Sequence, residues 1–334
     1  MSPFKSSKGR SLGKLIEGFK SSTIGQGFGS GGGVPATTSG GVESESGGYK
    51  YHTFVGPGTF SVGPVTAIDI LAVGGGGAGG SYYGAGGGGG GVVTWLNVSL
   101  VNVPQLDIAV GEGGDNTSPG TNSGAPGGDT TVSGWSTMPQ VLTAKGGGGG
   151  SPNSTQPGGS GGGRGSVPGN GSGATGVQPQ MNAHLAPLSG FNQYGQPGGS
   201  YTVNSTGYNP AGGGGAGQAG ESVSGTGSGG GGDGGDGISI PEFRGPEIPT
   251  LGPVVPRMGP NGQYYGGGGS AGPYSGTPGP GGYGGGGIGH APVDDSLNRG
   301  ADMLGGGGGG RHGASISGMP TEGGNGIVII RYQT

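Results

Sequence analysis

The sequence predicts a mainly β protein. A small antiparallel β core, closed by the C-terminal strand, carries a packed layer of polyglycine II helices and irregular loops, with almost no α-helix. Glycine supplies 102 of the 334 residues, much of it in unbroken runs. The apolar segments are short, rich in Val, Ile, Thr and aromatic residues, and bounded by Gly or Pro, which is the pattern of strands and turns. The last of them, residues 327–332, is apolar on both faces through Ile330, as a buried strand is.

The glycine runs lie at 86–91, 146–150, 212–215 and 305–310, and their solid character excludes a collagen helix, which needs Gly at every third position. Two alternatives remain. A flexible linker is one, because ordering a residue's backbone costs roughly 1–2 kcal/mol and glycine buries no side chain. The other is polyglycine II, an extended threefold helix whose outward N–H and C=O groups can bond to neighbouring helices. Tyrosines in the spacers favour packed helices, because a solvated linker needs little aromatic surface.

The pattern divides the chain into four zones. Residues 1–33 form a basic N-terminal segment, residues 34–110 the β core, residues 111–322 the polyglycine II and loop region, and residues 323–334 the C-terminal strand that returns to the core. The glycine region would then be a closed excursion from one β core. Within the core, Asp69 interrupts an apolar run, so we expect one face of that strand to meet solvent.

Charge is scarce and unevenly distributed. Charged residues make up 9% of the chain and the net charge is −4, although residues 1–20 are basic. An acidic body argues against nucleic acid as its partner. The chain has no Cys, which excludes disulfides and thiolate metal sites. Neither a secretory signal nor a long apolar run is present, so we expect a protein that is made in the cytosol and does not span a membrane.

Catalytic motifs occur only as by-products of the composition. Many windows satisfy G-x-G-x-x-G, but none joins a strand to a helix, as dinucleotide binding requires. Ser160 stands in a G-x-S-x-G match that lacks the strand–turn–helix context of a nucleophile elbow. The histidines are isolated in sequence, without a pair at metal-ligand spacing: His52, His184, His290 and His312. We therefore predict that the protein is not an enzyme and uses no cofactor.

Residues 231–239 fit the calcium-binding nonapeptide G-G-x-G-x-D-x-U-x, with Asp233 and Asp236 as the candidate ligands. In that motif, aspartates and turn carbonyls of stacked turns share a hard cation. The chain has one copy, whereas stacking needs several. A plain turn therefore explains the match better than a metal site does.

The N-terminal zone contains a short amphipathic pattern. Leu12, Leu15, Ile16 and Phe19 fall at helical spacing, with Lys14 on another face. One or two helical turns are marginal alone, so either a disordered tail or a docking peptide that folds on a partner fits this segment.

The chain resembles the glycine-rich domain of phage tail-fibre and virion proteins over roughly residues 49–332. The resemblance is carried by YKYHTF at 49–54 with GTF at 58–60, IDILAVGGGG at 68–77, and GGNGIVIIRY at 323–332. The opening, FKSSKGR at 4–10 through GFKSS at 18–22, is similar to the start of structural proteins of T-even-type myophages of marine cyanobacteria. The resemblance implies a virion component assembled in the host cytoplasm. Related adhesins at tail-fibre tips pack polyglycine II helices that display receptor-binding loops.

These features predict a structural virion protein of the tail-fibre or adhesin type that displays host-recognition loops on a polyglycine scaffold. Residues 12–19 would anchor it to other tail, baseplate or fibre proteins. The host partner would be a surface polysaccharide or an outer-membrane protein, and a homo-oligomer is compatible with the role. Two alternatives stay open: a neck or capsid decoration protein without a receptor, and an ice- or mineral-binding polyglycine II protein, which would need flatter and more regular faces than these spacers offer.

An adhesin of this kind would bind its receptor through the non-glycine spacers. The segment 238–260 is rich in proline, which stiffens a loop and presents side chains at low entropic cost. Tyr and Arg are frequent in binding hot spots. The candidate receptor-binding residues in and near this segment are Phe243, Arg244, Arg257, Tyr264, Tyr265 and Tyr274. The alternative is a rigid spacer, with tyrosines that cap glycine helices and pack internally.

Overall fold

A computed structural model gives the fold of residues 38–334. It leaves out 82–83, 116–122, 136–140, 153, 155, 166–170, 179–181, 184, 186–187, 203–208, 225–229, 245–258, 274–276, 290–294 and 312–320. The predicted anchoring segment 1–33, with Leu12, Lys14, Leu15, Ile16 and Phe19, lies outside the described residues.

Strands dominate the regular structure. They are β1 (Val42–Ser46), β2 (Tyr49–Phe54), β3 (Gly58–Ser61), β4 (Ala67–Val73), β5 (Val92–Ser99), β6 (Gln105–Ala109), β7 (Thr130–Ser133), β8 (Leu142–Ala144), β9 (Phe191–Tyr194), β10 (Tyr201–Thr202), β11 (Val223–Ser224) and β12 (Ile327–Gln333). The described residues contain very little helix. Two short 3₁₀ turns are Pro241–Phe243 and Asp295–Asn298. The described residues contain no helix that is long and apolar enough to cross a membrane. The mainly β prediction is confirmed.

Two antiparallel sheets enclose the main core. The larger has the order β1-β2-β12-β4-β5-β9 and the smaller the order β3-β6-β7-β8. Alternate residues of each strand point between the sheets, where Phe60 and Leu106 of the small sheet meet Ile70 and Trp95 of the large one. Burying large apolar side chains in this way is the main stabilising contribution to a β sandwich.

The C-terminal strand lies in the middle of the large sheet. β12 pairs antiparallel with β2 on one side and β4 on the other. Its residues Ile327–Ile330 are fully buried, as the apolar pattern on both faces predicted. Val328 and Ile330 belong to the core between the sheets, whereas Ile327 and Ile329 face the opposite side.

The second face of the large sheet is covered by loops. Phe243 from the 3₁₀ turn, together with Ile240, Tyr265 and Leu304, packs there against the β12 side chains. A strand buried on both faces explains why residues 327–330 are continuously apolar.

The prediction that β4 exposes one face to solvent at Asp69 is wrong. The carboxylate of Asp69 forms an ion pair with Arg331 of β12, with 2.9 Å between Oδ2 and Nη2, and the side chains are 18% and 10% exposed. The Arg331 guanidinium lies over the rings of Tyr49 and Phe243, 4.3 and 5.1 Å from their centroids, and donates to the Glu242 carbonyl. The charge is tolerated under the loops because it is paired and hydrogen-bonded.

The glycine runs pack as hydrogen-bonded helices, and residues 84–91 form the central one. Every third N–H of this helix donates to the same neighbour. Gly86 and Gly89 donate to Ala211 and Gly214, Gly87 and Gly90 to Gly308 and Gly305, and Gly88 and Gly91 to Gly148 and Lys145. A repeat of three residues per turn, with all bonds going to other segments, is the signature of polyglycine II.

The carbonyls of the central helix bond to three further segments, so that it has six neighbours. These are residues 74–80, 145–151, 158–165, 209–216, 266–273 and 305–311. Each neighbour is also hydrogen-bonded to the next, which closes a hexagonal ring around the central helix. The predicted polyglycine II layer is thus a lattice in which backbone groups replace side chains as the packing surface.

The β core and the glycine lattice alternate along the chain, which differs from the predicted zones. Strands β7, β8 and β9 lie within 111–322, whereas the central helix 84–91 lies within 34–110. The physical reason is that strands continue directly into glycine helices. β4 runs into 74–80, for example, and Gly74 donates to Gly91 where the β4–β5 ladder ends.

A buried histidine should make the β core sensitive to acid. Nδ1 of His52 lies 2.8 Å from the Gly40 carbonyl oxygen and 3.8 Å from Oε1 of Glu43. Lys50, on the same strand, is the nearby positive charge. Nε2 of His52 is buried without a hydrogen-bond partner among the described residues. Burial is the main reason why the pKa of His52 lies below its ordinary value. The unfolded chain therefore takes up the proton first, so stability should fall as the pH drops below about 6.5 and level off below the folded-state pKa.

Urea unfolding of the wild type between about pH 7.5 and 5.5 measures this effect. His52→Gln, which cannot titrate, should lose the His52 part of the pH dependence. An unchanged pH dependence in His52→Gln would contradict the prediction.

Candidate functional site

The glycine segments that continue β4, β5 and β12 leave the sandwich at one end. In register, Val73 at the end of β4 pairs with Ile327 at the start of β12 and with Val92 at the start of β5. The glycine segments joined to these strands therefore run side by side away from the sheets. We call the end of the lattice remote from the sheets the outer end.

The described residues that precede and follow many of the connections between helices lie at this outer end. Gly80 at the end of the first helix bonds to Ala85 and accepts from Arg311, and Gly79 donates to Thr321, so the segments that flank several connections lie together. Each of these connections has one described residue before it and one after it. The pairs are 81 and 84, 115 and 123, 165 and 171, 202 and 209, 224 and 230, 273 and 277, 289 and 295, and 311 and 321. The chain between these flanks is rich in Ser, Thr, Asn, Pro and Tyr, in contrast to the lattice.

The described chain begins at the opposite side of the fold. The Thr38 hydroxyl bonds to the Tyr332 hydroxyl, and Tyr332 pairs with Lys50 towards the end of the sheet that is remote from the lattice. The C-terminal Thr334 bonds to Gly48 at the same end. The described chain therefore begins away from the outer end.

Two of the predicted receptor-binding residues are structural, which corrects the prediction for them. Phe243 and Tyr265 are both 0% exposed in the core on the second face of the large sheet. The Tyr265 hydroxyl donates to the Phe243 carbonyl at 2.9 Å, which satisfies its polar group. A side chain that is buried in the folded chain offers a receptor no surface to contact, so the internal-packing alternative holds here.

The other receptor candidates divide between the surface and the part of the chain outside the described residues. Arg244 is exposed, and its Nε donates to Ser239 Oγ at 3.0 Å. Tyr264 is half-buried, with its ring 5.6 Å from that of Tyr283. Arg257 and Tyr274 lie outside the described residues. Arg244 is therefore beside the sheet, close in sequence to the buried Phe243, and not at the outer end of the lattice.

A groove of about 360 Å³ opens on the side of the lattice. It lies over the glycine helix 230–238, between the segment 217–222 and the segment 277–283. The side chains that line it are Gln218, Glu221, Asp233, Asp236, Pro280 and Tyr283. Sequence reasoning found the two aspartates of this groove but missed Glu221 and Tyr283, because no local spacing relates them to residues 230–238.

The two candidate calcium ligands have structural partners in this groove. Asp236 Oδ1 accepts the Tyr283 N–H at 2.8 Å, and the Asp233 N–H donates to the Glu221 carboxylate at 2.8 Å. Across the described part of the chain, no group of three or more His, Asp or Glu side chains is arranged to hold a metal ion. The nonapeptide match therefore coincides with a glycine helix, and calcium binding gains no support from the geometry.

The chain belongs to the glycine-rich domain family, whose model matches residues 53–333. The match runs from β2 to the end of β12 and so spans the lattice and nearly all of the sandwich. A comparison with curated proteins finds no significant match.

Proposed function

We propose that this protein is a structural component of a phage virion, of the tail-fibre or adhesin type, that presents recognition loops on a polyglycine scaffold. The observation that carries the proposal is that the described residues flanking the non-glycine connections lie together at the outer end of the lattice. A rigid scaffold that fixes the ends of many variable loops is the usual way in which proteins build a recognition surface.

The lattice suits such a scaffold because it is rigid without large side chains. Each central glycine is held by hydrogen bonds to neighbouring helices, and most other lattice glycines have backbone atoms closer than 3.0 Å to where a Cβ would stand. Both ends of a connection are thus fixed by backbone bonds. The connections can differ in sequence without changing the packing beneath them.

An adhesin has two partners, the virion and the host cell, and two separate regions of this protein suit them. The described chain begins at Thr38, which bonds to Tyr332 on the side remote from the outer end, and the basic segment 1–33 that precedes it in sequence is the proposed contact with other virion proteins. The outer end would bind a surface polysaccharide or an outer-membrane protein of the host. On this proposal, the recognition surface is separate from Arg244 and Tyr264.

Site-directed labelling tests the proposal. The chain has no Cys, so a single introduced Cys can carry a maleimide–polyethylene glycol chain without side reactions. Thr202, at the end of β10, is exposed at the outer end, and Gln333 is exposed at the opposite end as a matched control. We expect the purified protein to adsorb to host cells, with adsorption lost after labelling of Thr202→Cys and retained after labelling of Gln333→Cys.

Two results would overturn the proposal. Adsorption that resists labelling at Thr202 would remove the outer end as the binding surface. A folded protein that is found in purified virions but never adsorbs to host cells would favour the neck or capsid decoration role.

A further inference from the structure

The glycine helix 230–238 lies at the surface of the lattice and has fewer neighbours than the central helix. Its N–H groups donate to the segments 209–216 and 277–283, and its carbonyls accept from the segments 266–273 and 217–222. That makes four neighbours where the central helix has six. The two remaining directions of the threefold helix face the groove described above.

Backbone groups in these two directions are available to a ligand. The Asp233 N–H is bound by the Glu221 carboxylate. The Asp236 N–H and the Gly234 carbonyl have no hydrogen-bond partner within the described residues. One backbone donor and one backbone acceptor, of the kind that other glycine helices satisfy inside the lattice, are thus open on the floor of the groove.

The walls of the groove add acceptors and one aromatic ring. Glu221, Asp233 and Asp236 contribute carboxylates and Gln218 an amide, and none of the residues that line the groove is Lys, Arg or His. Carboxylates and amides accept hydrogen bonds from hydroxyl groups, whereas three carboxylates repel an anionic ligand. The lining therefore suits a ligand that is rich in hydroxyl groups and disfavours one that carries negative charge.

Tyr283 supplies the flat apolar surface that such a ligand also needs. Its backbone N–H is held by Asp236, and its ring packs on the ring of Tyr264 at 5.6 Å between centroids, tilted by 50°. A rigid tyrosine offers contact area at low entropic cost. The groove's volume of about 360 Å³ lies at the lower end of the ~300–1,000 Å³ typical of small-molecule sites.

We propose that this groove binds a saccharide that carries no acidic groups, with Tyr283 against the face of a sugar ring and Glu221 and Asp236 accepting its hydroxyl groups. The inference rests on the proposed function, in which a host surface polysaccharide is one of the two receptor classes. It adds a second contact area on the side of the lattice, separate from the connections at the outer end.

A glycan array printed with uncharged and uronic-acid-containing oligosaccharides tests the groove on the full-length protein. We expect binding to uncharged members and none to their uronic-acid counterparts. The strongest uncharged glycan is then titrated by saturation-transfer NMR. Tyr283→Ala and Glu221→Ala should each weaken binding by about tenfold or more, and Tyr283→Phe, which keeps the ring, should bind like the wild type.

Glu45→Ala is the matched control, because Glu45 is an exposed carboxylate on the edge strand β1 outside the groove. It should leave glycan binding unchanged. Thermal unfolding of each variant shows whether a loss of binding reflects a loss of folding, and Glu221→Ala keeps the test valid if Tyr283→Ala fails to fold.

The inference is overturned if no uncharged glycan binds, if acidic glycans bind as well, or if Glu221→Ala and the Tyr283 variants all bind like the wild type. Its failure is separable from that of the proposed function. A protein that adsorbs to host cells but binds no uncharged glycan refutes the groove alone. A protein that binds glycans through the groove but never adsorbs refutes the adhesin role alone.

Discussion

Replacing Gly88 with alanine should destabilise the protein by about 3 kcal/mol or more, and replacing it with valine should prevent folding. Gly88 lies in the central helix, and a Cβ there would stand closer than 3.0 Å to the backbone atoms of Ser160 and Gly161. Neither neighbour can move away, because each is bonded to further helices of the lattice. Relief would require a shift of a whole helix, which would break several backbone hydrogen bonds.

Gly56→Ala is the matched control. Gly56 lies in the bend after β2, and a Cβ there would meet nothing within 4 Å. Its effect should stay within about 0.5 kcal/mol. Urea unfolding of both variants measures the difference, and a Gly88→Ala protein as stable as Gly56→Ala would show that the glycine runs are a linker and not a lattice.

Asp69→Ala should destabilise the protein by about 3 kcal/mol, because it leaves the Arg331 charge under the loops without its counter-ion. The Arg331 side chain is only 10% exposed, so water cannot replace the lost carboxylate fully. The double variant Asp69→Ala/Arg331→Met removes the charge as well and packs an apolar chain in its place. It should be more stable than Asp69→Ala alone.

The exposed pair on the edge strand provides the comparison. Lys50 Nζ lies 2.7 Å from Glu43 Oε2, but the Glu43 side chain is 40% exposed. Glu43→Ala should therefore change the free energy of unfolding by less than about 1 kcal/mol. Equal effects of Asp69→Ala and Glu43→Ala, measured by urea unfolding, would mean that the Asp69–Arg331 pair is no better shielded from water than a surface pair.

The fold class could be predicted from the sequence because two local signals pointed to it. Solid glycine runs without a three-residue spacing exclude collagen and leave either a flexible linker or polyglycine II, and the tyrosines in the spacers favour polyglycine II. An apolar run on both faces at Ile327–Ile330 requires a strand with both faces covered. Neither conclusion depends on which segments meet.

The site was predicted less well, because side-chain burial depends on partners far away in sequence. Phe243 and Tyr265 carry the composition of a binding hot spot, but the second face of the large sheet needed apolar cover and they supply it. Asp69 was expected at a solvent-facing position, but Arg331 pairs with it from the other end of the chain. No local pattern distinguishes these outcomes.

The sequence by itself determined the local elements of the protein: short strands, glycine runs without side chains to bury, and a C-terminal strand that returns to the core. What only the tertiary structure decided is the arrangement of these parts. Glycine runs are alike in sequence, so nothing local states that residues 84–91 lie at the centre and 230–238 at the surface. Their places follow from backbone hydrogen bonds between segments far apart in the chain, and the same bonds decide which connections share the outer end and which side chains line the groove.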